Sequence, residues 1–423
     1  MDTFINSVRL DSDLCKGCIH CIKRCPTQAI RVSNGKARII REFCIDCGEC
    51  IRVCPHHAKK ATYDPIEIMD KFEYTVALPA PSLYGQFNNL DDINIILRAL
   101  KLMGFDDVYE VSGAAELVSE MSRNYIDNHK DKRPFISSAC PSVVRLIRVR
   151  FPNLIEHLLP FYEPMEIAAS MAKEKAVRET GLPPEKIGVI FISPCPAKVT
   201  SVYAPLGRDV SSVDGVIAIK EVYPKLLPFM KQTADEEQEL AISGKIGISW
   251  GGSGGEAGGL LIDSYLAADG IENVIHVLED LEDQKFSDLE FIELNACSGG
   301  CVGGVLQVEN PYVAKSRIKR LRRYLPVSRT HLEEDINEKQ YMNKKIRYEP
   351  VFKLGTSMLE SLHMMAQVEE ICKRLPGLDC GSCGAPTCKA LAEDVVRGVA
   401  KEKDCIHLLR EYIHKLSDDL NRL

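Results

Sequence analysis

Four cysteines in the middle of the chain, Cys140, Cys195, Cys297 and Cys301, are the residues whose type and spacing most directly imply chemistry. Cys140 and Cys195 each close an apolar run and precede a proline, in FISSACP (135–141) and VIFISPCP (189–196). Cys297 and Cys301 stand four apart among glycines in ELNACSGGCVGGVLQ (293–307), again after an apolar run. Thiolates are soft donors, so four of them delivered by three strand ends can converge on one iron site. For any one of them the alternative is an inert buried thiol, since unpaired Cys is commonly buried. Placement at strand ends beside Pro and Gly turns argues for the shared site, because open α/β sheets bind ligands beyond the carboxyl ends of their strands.

The segments that must position these thiols alternate short apolar runs with longer amphipathic ones from residue 74 to about 325. The pattern predicts strands at 74–78, 135–138, 187–192, 215–219, 246–250, 273–278 and 289–294. It predicts helices at 91–103, 143–149, 164–179 and 255–268. This is an α/β arrangement with largely parallel strands. The glycine-rich stretch GISWGGSGGEAGGL (247–260) lacks the Gly-Lys-Ser/Thr ending of a phosphate loop. It is read as close backbone packing against a bulky cofactor, and Trp250 as core.

The other thirteen of the seventeen cysteines lie in two terminal blocks. CKGCIHCIKRCP (15–26) and CIDCGECIRVCP (44–55) are copies of one repeat, offset by 29 residues. Three cysteines at every third position, a fourth after three more residues and then proline is the spacing of the bacterial two-cluster ferredoxin, whose fourth cysteine ligates the other cluster. On that spacing Cys15, Cys18, Cys21 and Cys54 hold one 4Fe-4S cluster, and Cys44, Cys47, Cys50 and Cys25 the other. Two structural zinc sites are the alternative, though zinc prefers paired Cys-x-x-Cys knuckles. RVSNGKARII (31–40) between the copies reads as a hairpin. Lys16, Lys23, Arg24 and Arg52 read as solvated surface that can also guide an electron partner. In the C-terminal block Cys380, Cys383, Cys388 and Cys405 are spaced for one more 4Fe-4S cluster, with zinc again the alternative. Cys372 falls mid-helix outside that motif and reads as packing.

Bulk composition narrows the class. The 423 residues are 45% apolar and 27% charged, as in an ordinary soluble globular protein with room for two to four domains. A net charge of -7 and the lack of a basic stripe argue against nucleic acid as a partner. No signal peptide and no bilayer-length apolar run is found, so a cytoplasmic location is expected. So many cysteines in a reducing compartment mean metal or iron–sulfur ligation rather than disulfides.

With these motifs in view, SSACP (137–141), SPCPAK (193–198) and ELNACSGGCVGG (293–304) resemble the three signature motifs of the iron-only, or FeFe, hydrogenases. GGSGGEAGG (251–259) and LKLMGFDDVYEV (100–111) match as well. The resemblance implies an α/β fold in three parts: a ferredoxin-like N-terminal module with two 4Fe-4S clusters (1–65), a central two-lobed iron-hydrogenase domain (70–326) and a small, mostly helical C-terminal 4Fe-4S domain (354–423). A charged linker (327–353) joins the last two. It further implies that Cys140, Cys195, Cys297 and Cys301 hold the H-cluster, a 4Fe-4S cubane joined through Cys301 to a two-iron unit bearing CO and cyanide. Lys198 would donate to a cyanide. The C-terminal block is similar to the iron–sulfur domain of corrinoid iron–sulfur proteins and to the tail of a divergent, sensory branch of the hydrogenases.

Departures from the family pattern bear on function. Ala139 stands where active members carry the proton-donating cysteine, and a methyl group cannot donate a proton. The expected Glu-x-x-Glu pair and serine of the proton relay are missing from 119–125 and 157–163, with Leu159 near the serine position. Glu120, Glu163 and Glu166 are the acids nearest in sequence to replace them. Ser193 and Asn295 stand for methionines and Ser298 for proline. Three functions follow as expectations. The first is slow, reversible H2 activation in an anaerobe, with electrons passing through the clusters and the redox state read by a signalling partner. The second is a true hydrogenase subunit linked to ferredoxin or other iron–sulfur subunits. The third is an electron-transfer or cluster-assembly protein carrying cubanes alone.

Overall fold

The computed structural model describes residues 6–233, 238–332 and 338–421. Residues 333–337 of the expected linker lie outside these. The N-terminal repeat folds as β1 (Val8–Leu10), α1 (His20–Lys23), β2 (Ile30–Ser33), β3 (Lys36–Ile39), α2 (Glu49–Arg52) and β4 (Lys59–Ala61). β1 pairs antiparallel with β4, and β2 with β3. Asn34 and Gly35, at φ 50° and 70°, make the two-residue turn that an Asn-Gly pair favours between strands. The 29-residue offset is written into the backbone: Gly17 and Asp46 share a positive φ, as do Gln28 and His57.

The central region is built on two parallel sheets. In chain order its elements are β5 (Tyr74–Pro79), α3 (Asn94–Leu102), β6 (Asp107–Val108), α4 (Val111–Asn128), β7 (Phe135–Ile136), α5 (Pro141–Arg150), α6 (Pro164–Thr180), β8 (Ile187–Ser193) and α7 (Pro196–Tyr203). There follow β9 (Gly215–Ala218), α8 (Ile219–Gln232), α9 (Lys245–Ser249), α10 (Gly255–Gly259), β10 (Tyr265–Asp269), α11 (Ile271–Glu282), β11 (Phe291–Asn295) and α12 (Pro311–Leu321). One sheet runs β6-β5-β8-β9 and the other β10-β11-β7, every neighbouring pair parallel. β8 is buried along its whole length, which is why it reads IGVIFIS with no alternation. Ile96, Leu97 and Leu100 of α3 and Leu226 of α8 pack with Ile190 and Ile192 of β8 in the main core.

Three expected elements are corrected. The run 246–250 is helix α9, not a strand: the buried Glu116 carboxylate accepts the Gly244 and Gly247 N–H groups at 2.7 and 3.2 Å, satisfying its first turn. The run 273–278 lies inside helix α11, whose buried Ile271, Val274, Leu278 and Leu281 follow a helical period that the short apolar run masked. The helix expected over 255–268 stops at Gly259, after two glycines, and 265–269 pairs with β11 as strand β10.

The C-terminal block contributes α13 (Met358–Arg374), α14 (Cys388–Val396) and α15 (Ile406–Asn421). Ser357 and Thr387 cap α13 and α14, their hydroxyls accepting N–H groups at 3.2 and 3.0 Å. By internal contacts the chain divides into two units. One comprises residues 1–7, 45–48 and 62–348; the other comprises 8–44, 49–61 and 349–423, so the two cysteine-rich ends of the chain share a unit. No helix among the described residues is long and apolar enough to cross a membrane.

Candidate metal centre

The central thiols sit where the local sequence makes anions welcome. Cys140 is the N-cap residue of α5 and Cys195 that of α7, each followed by a proline at the first helical position. Proline there costs no hydrogen bond and fixes the helical φ, so each Cys-Pro pair places a sulfur at a helix N-terminus, where the dipole favours a thiolate. Cys297 follows β11 and Cys301 opens a short 3-10 turn, Cys301–Gly303. β7 and β11 are parallel neighbours, so the segments leading to Cys140 and Cys297 leave one sheet edge together.

Burial pushes the Cys301 thiol up to about 12 and the Cys195 thiol up to about 11, with Lys198 pulling both back and the like charge of Cys140 adding to the rise. Cys140, Cys195 and Cys301 are therefore within one another's electrostatic reach, together with Lys198. All seventeen cysteines are outside disulfides. Among the described residues no three His, Cys, Asp or Glu side chains are drawn tightly enough to hold a single metal ion. In a cubane each iron takes its own thiolate, so the donors need not touch. Soft thiolates suit iron–sulfur ligation, and three of the four expected here lie within electrostatic reach of one another.

A cavity of about 50 Å³, room for a few water-sized groups, lies against Cys140 and Cys301. Ala139, Lys198, Glu256 and Glu293 also line it. Lys198, 8% exposed, donates to Glu163 Oε2 at 2.7 Å and to the Ala139 carbonyl at 3.3 Å. Burial alone would lower its pKa, but Glu163 and the neighbouring thiols outweigh that and raise it, so the amine stays charged. The cavity therefore has a buried cationic donor on one side and thiols on another.

None of the three acids expected to replace the proton relay lines this cavity. Glu163 is held by Lys198 and by Ser201 Oγ at 2.7 Å. Glu166 is locked to Arg208, to Ser211 and to the Ser212 N–H. Glu120 sits partly exposed beside the Leu332 N–H at 3.2 Å. The acids that do reach it are Glu256, from the glycine-rich stretch, and Glu293, from β11.

Ser137 Oγ donates to Glu256 Oε2 at 2.6 Å and accepts the Ala139 N–H at 3.1 Å. Glu293 accepts the Gly254 and Ala257 N–H groups at 2.9 and 2.8 Å and the Asn295 amide at 2.7 Å. Burial, then the Glu293 charge, pushes Glu256 up to about 8. Burial raises Glu293 too, against its backbone donors. Two such carboxyls resist ionising together, which favours the protonated form of Glu256. The sequence held a signal for each: one acid in an otherwise Gly/Ala loop, and one acid inside a buried strand. Trp250, expected in the core, also lines the cavity and donates to Ser119 Oγ at 3.0 Å.

In the terminal unit the first expected ligand set is brought together. Burial raises the Cys21 thiol, and the charges of Cys18, Cys54 and Cys15 act on it in addition. Cys25 Sγ accepts the Ala29 N–H at 3.2 Å and Cys54 Sγ the Ala58 N–H at 3.3 Å, the same bond in each repeat. Cys44 and Cys50 border the same apolar cluster as Cys25, whereas Cys47 belongs to the 45–48 segment of the central unit. Cys383 is raised by burial and then by Cys405 and Cys380. Cys388 opens α14, and its charge acts on Cys372, which lies mid-helix in α13.

Comparison with known proteins agrees with these motifs. The family model for the iron-only hydrogenase large subunit, C-terminal domain, matches residues 73–259 and 249–305, more than half of the chain. A 4Fe-4S dicluster domain matches 7–55 and a model described as a Fe-S cluster domain matches 375–407. Iron hydrogenase 1 of Clostridium pasteurianum is 22% identical over 304 residues, 59% of this chain and 53% of that protein. The cytosolic Fe-S cluster assembly factor NAR1 of Botryotinia fuckeliana is 28% identical over 122 residues, 26% of this chain and 21% of that one. A structure of FeFe hydrogenase HydA1 from Chlamydomonas reinhardtii aligns at 15% identity and a TM-score of 0.47, covering 62% of this chain and 86% of that one. The chain spans about half the length of the curated relatives it matches over most extent.

Proposed function

The chain belongs to the iron-only hydrogenase large-subunit family, and on that premise we propose that it activates H2 slowly and reversibly, H2 ⇌ 2H⁺ + 2e⁻, as a hydrogen or redox sensor. Cys140, Cys195, Cys297 and Cys301 hold the central iron centre, which supplies the H2-splitting chemistry when bound. Lys198 holds that centre's anionic ligands by charge-assisted hydrogen bonds, itself fixed by Glu163 and the Ala139 carbonyl. Ala139 gives no proton. Glu256 and Glu293 move protons in its place, since Glu256, pushed up to about 8, can both hold and release one at neutral pH. Ser137 bonds Glu256 on the Ala139 side of the cavity, and Glu293 carries the exchange toward the Gly254 turn.

The observation that carries this reading is one cavity bordered at once by thiols, a buried cation and two buried carboxyls. Electrons leave through the N-terminal cysteine sets. Their route to the centre is supported by Gly48, next to Cys47, where a Cβ would lie 2.7 Å from Val305 and 3.6 Å from Pro196. Val305 directly follows the third motif, and Pro196 follows Cys195 within the second. An electron carrier such as ferredoxin, and a protein that reads the redox state, are the partners this implies. The setting is the cytoplasm of an anaerobe, where so many thiols stay reduced.

The second reading, a protein carrying cubanes alone, is favoured by the similarity to NAR1. Isotope exchange separates the two. Protein loaded with the two-iron cofactor and given D2 in light water is expected to form HD. A full complement of cubanes with no HD at any pH would leave the second reading standing.

A further inference from the structure

We propose that the C-terminal cysteine set is docked rigidly on the first N-terminal set, making it a fixed outer electron port rather than a tethered, mobile domain. The inference rests on reading both sets as 4Fe-4S ligands, and it concerns residues outside all three hydrogenase motifs.

The contacts lie within one unit of the chain and come from both ends of it. Arg31 of β2, 7% exposed, donates Nε to Asp394 Oδ2 at 2.5 Å and Nη2 to Oδ1 at 3.3 Å. Its Nη1 donates to the Gln28 carbonyl at 2.7 Å, so the guanidinium is held on its own strand before it reaches α14. A planar fork meeting a carboxylate at two points fixes direction as well as distance. Asp394 is equally buried, at 7%. A buried pair of this kind specifies one arrangement, since either partner alone is left as an uncompensated charge.

The loop that carries the cysteines is pinned separately. The Val32 N–H donates to the Gly384 carbonyl at 2.8 Å, a backbone bond between strand β2 and the residue after Cys383. Gly384 has φ +88°, and a Cβ on it would come within 1.8 Å of the Val32 oxygen, so only glycine allows this approach. Gly381, next to Cys380, faces Ile22 and Lys23, with a Cβ placed 3.3 Å from each. Lys23 Nζ donates to the carbonyls of Asp379 and Pro386 at 2.5 and 3.3 Å, spanning the loop from one side of the cysteines to the other. Helix α1, which supplies Ile22 and Lys23, also carries Cys21 of the first N-terminal set. Lys23 is exposed, as expected of solvated surface, and its amine also clamps this loop.

The loop bearing Cys380 and Cys383 is thus held against helix α1, which bears Cys21, by Lys23 and a glycine contact, and against β2 by a backbone bond, while Arg31 of β2 holds α14. Cys380 keeps a partly exposed position, so the set has an outward side. One electron crosses between the sets at a time, one cubane being oxidised as the other is reduced. At the outer side the electron passes to or from a one-electron carrier protein.

The test uses the full chain with its clusters, reduced by dithionite and measured by electron paramagnetic resonance. Neighbouring reduced cubanes broaden each other's signals. Wild type is expected to show that broadening, and Arg31→Lys to keep most of it. Arg31→Ala and Gly384→Ala are expected to lose the part of the broadening that the C-terminal set contributes, leaving the mutual broadening of the two N-terminal cubanes, with the iron content unchanged. Cys380→Ser provides a reading that does not depend on the pin: iron analysis should fall by one cubane and the remaining signals should sharpen. Iron unchanged by Cys380→Ser would sink the ligand assignment itself. Iron reduced with the other signals unaltered, or Arg31→Ala and Gly384→Ala spectra as broad as wild type, would overturn the docking alone.

Discussion

Two buried glutamates near the central site, Glu163 and Glu256, have opposite kinds of neighbour. Glu163 is paired with Lys198, a cation at 2.7 Å. Glu256 has another acid, Glu293, for its neighbour, and burial together with that like charge raises its proton affinity. The first pair holds; the second exchanges. Which acid can move a proton is decided by its neighbour and not by its distance along the chain from the missing cysteine. For that reason the acids nearest in sequence to the lost relay, Glu163 and Glu166, are the ones tied up in ion pairs.

The largest expected effect comes from breaking the exchanging pair. Glu256→Gln keeps the shape and the Ser137 contact but removes the titrating proton, so HD formation should fall by about 10²–10⁴-fold. Thermal stability should not fall with it. A variant that retains wild-type exchange would show that another group carries protons.

Breaking the holding pair should act on stability instead. Glu163→Gln leaves Lys198 buried without its counter-ion, a loss of about 3–5 kcal/mol. Chemical denaturation should register it, and Glu163→Gln combined with Lys198→Met should recover much of the loss. If the single variant is as stable as wild type, the ion pair does not hold this site.

The contrast also has a pH signature. Glu256 rises from an ordinary glutamate value near 4.5 to about 8, so in that window the folded chain binds its proton more strongly than the unfolded chain. Stability should therefore fall as pH climbs from about 4.5 to about 8, by on the order of 1 kcal/mol per pH unit at most from this group. Unfolding midpoints measured across the window should show a flatter profile for Glu256→Gln than for wild type. Parallel profiles would mean that Glu256 ionises as it does in the unfolded chain.

The smallest change is expected from restoring the thiol. Ala139→Cys in the otherwise unchanged chain should alter HD formation less than about tenfold, because Glu256 already serves the cavity, whereas in the Glu256→Gln background it should recover much of the loss. A large gain in the unchanged chain would mean that the carboxyl pair contributes little.

Much of this is legible in the residues. The doubled Cys-x-x-Cys-x-x-Cys run announces its own symmetry, and the Cys-Pro pairs announce strand ends that open into helices. What escapes a linear reading is set by tertiary contact. The run 246–250 is a helix because Glu116, far away in sequence, satisfies its first turn. Glu256 and Glu293 lie within recognisable motifs yet carry no mark of their shifted proton affinity, which arises only when a loop and a strand bury them side by side. Arg31 and Asp394 are separated by 363 residues, and no local pattern connects them.

The central claim is a hydrogen-activating centre served by a carboxyl pair. It is tested most directly by one infrared pH titration of protein loaded with the two-iron cofactor. The account predicts CO and cyanide bands, together with a carboxylic-acid band that titrates near pH 8 and is missing from Glu256→Gln. A spectrum without CO and cyanide bands in protein whose cubanes are complete, or an acid band untouched by Glu256→Gln, would contradict it.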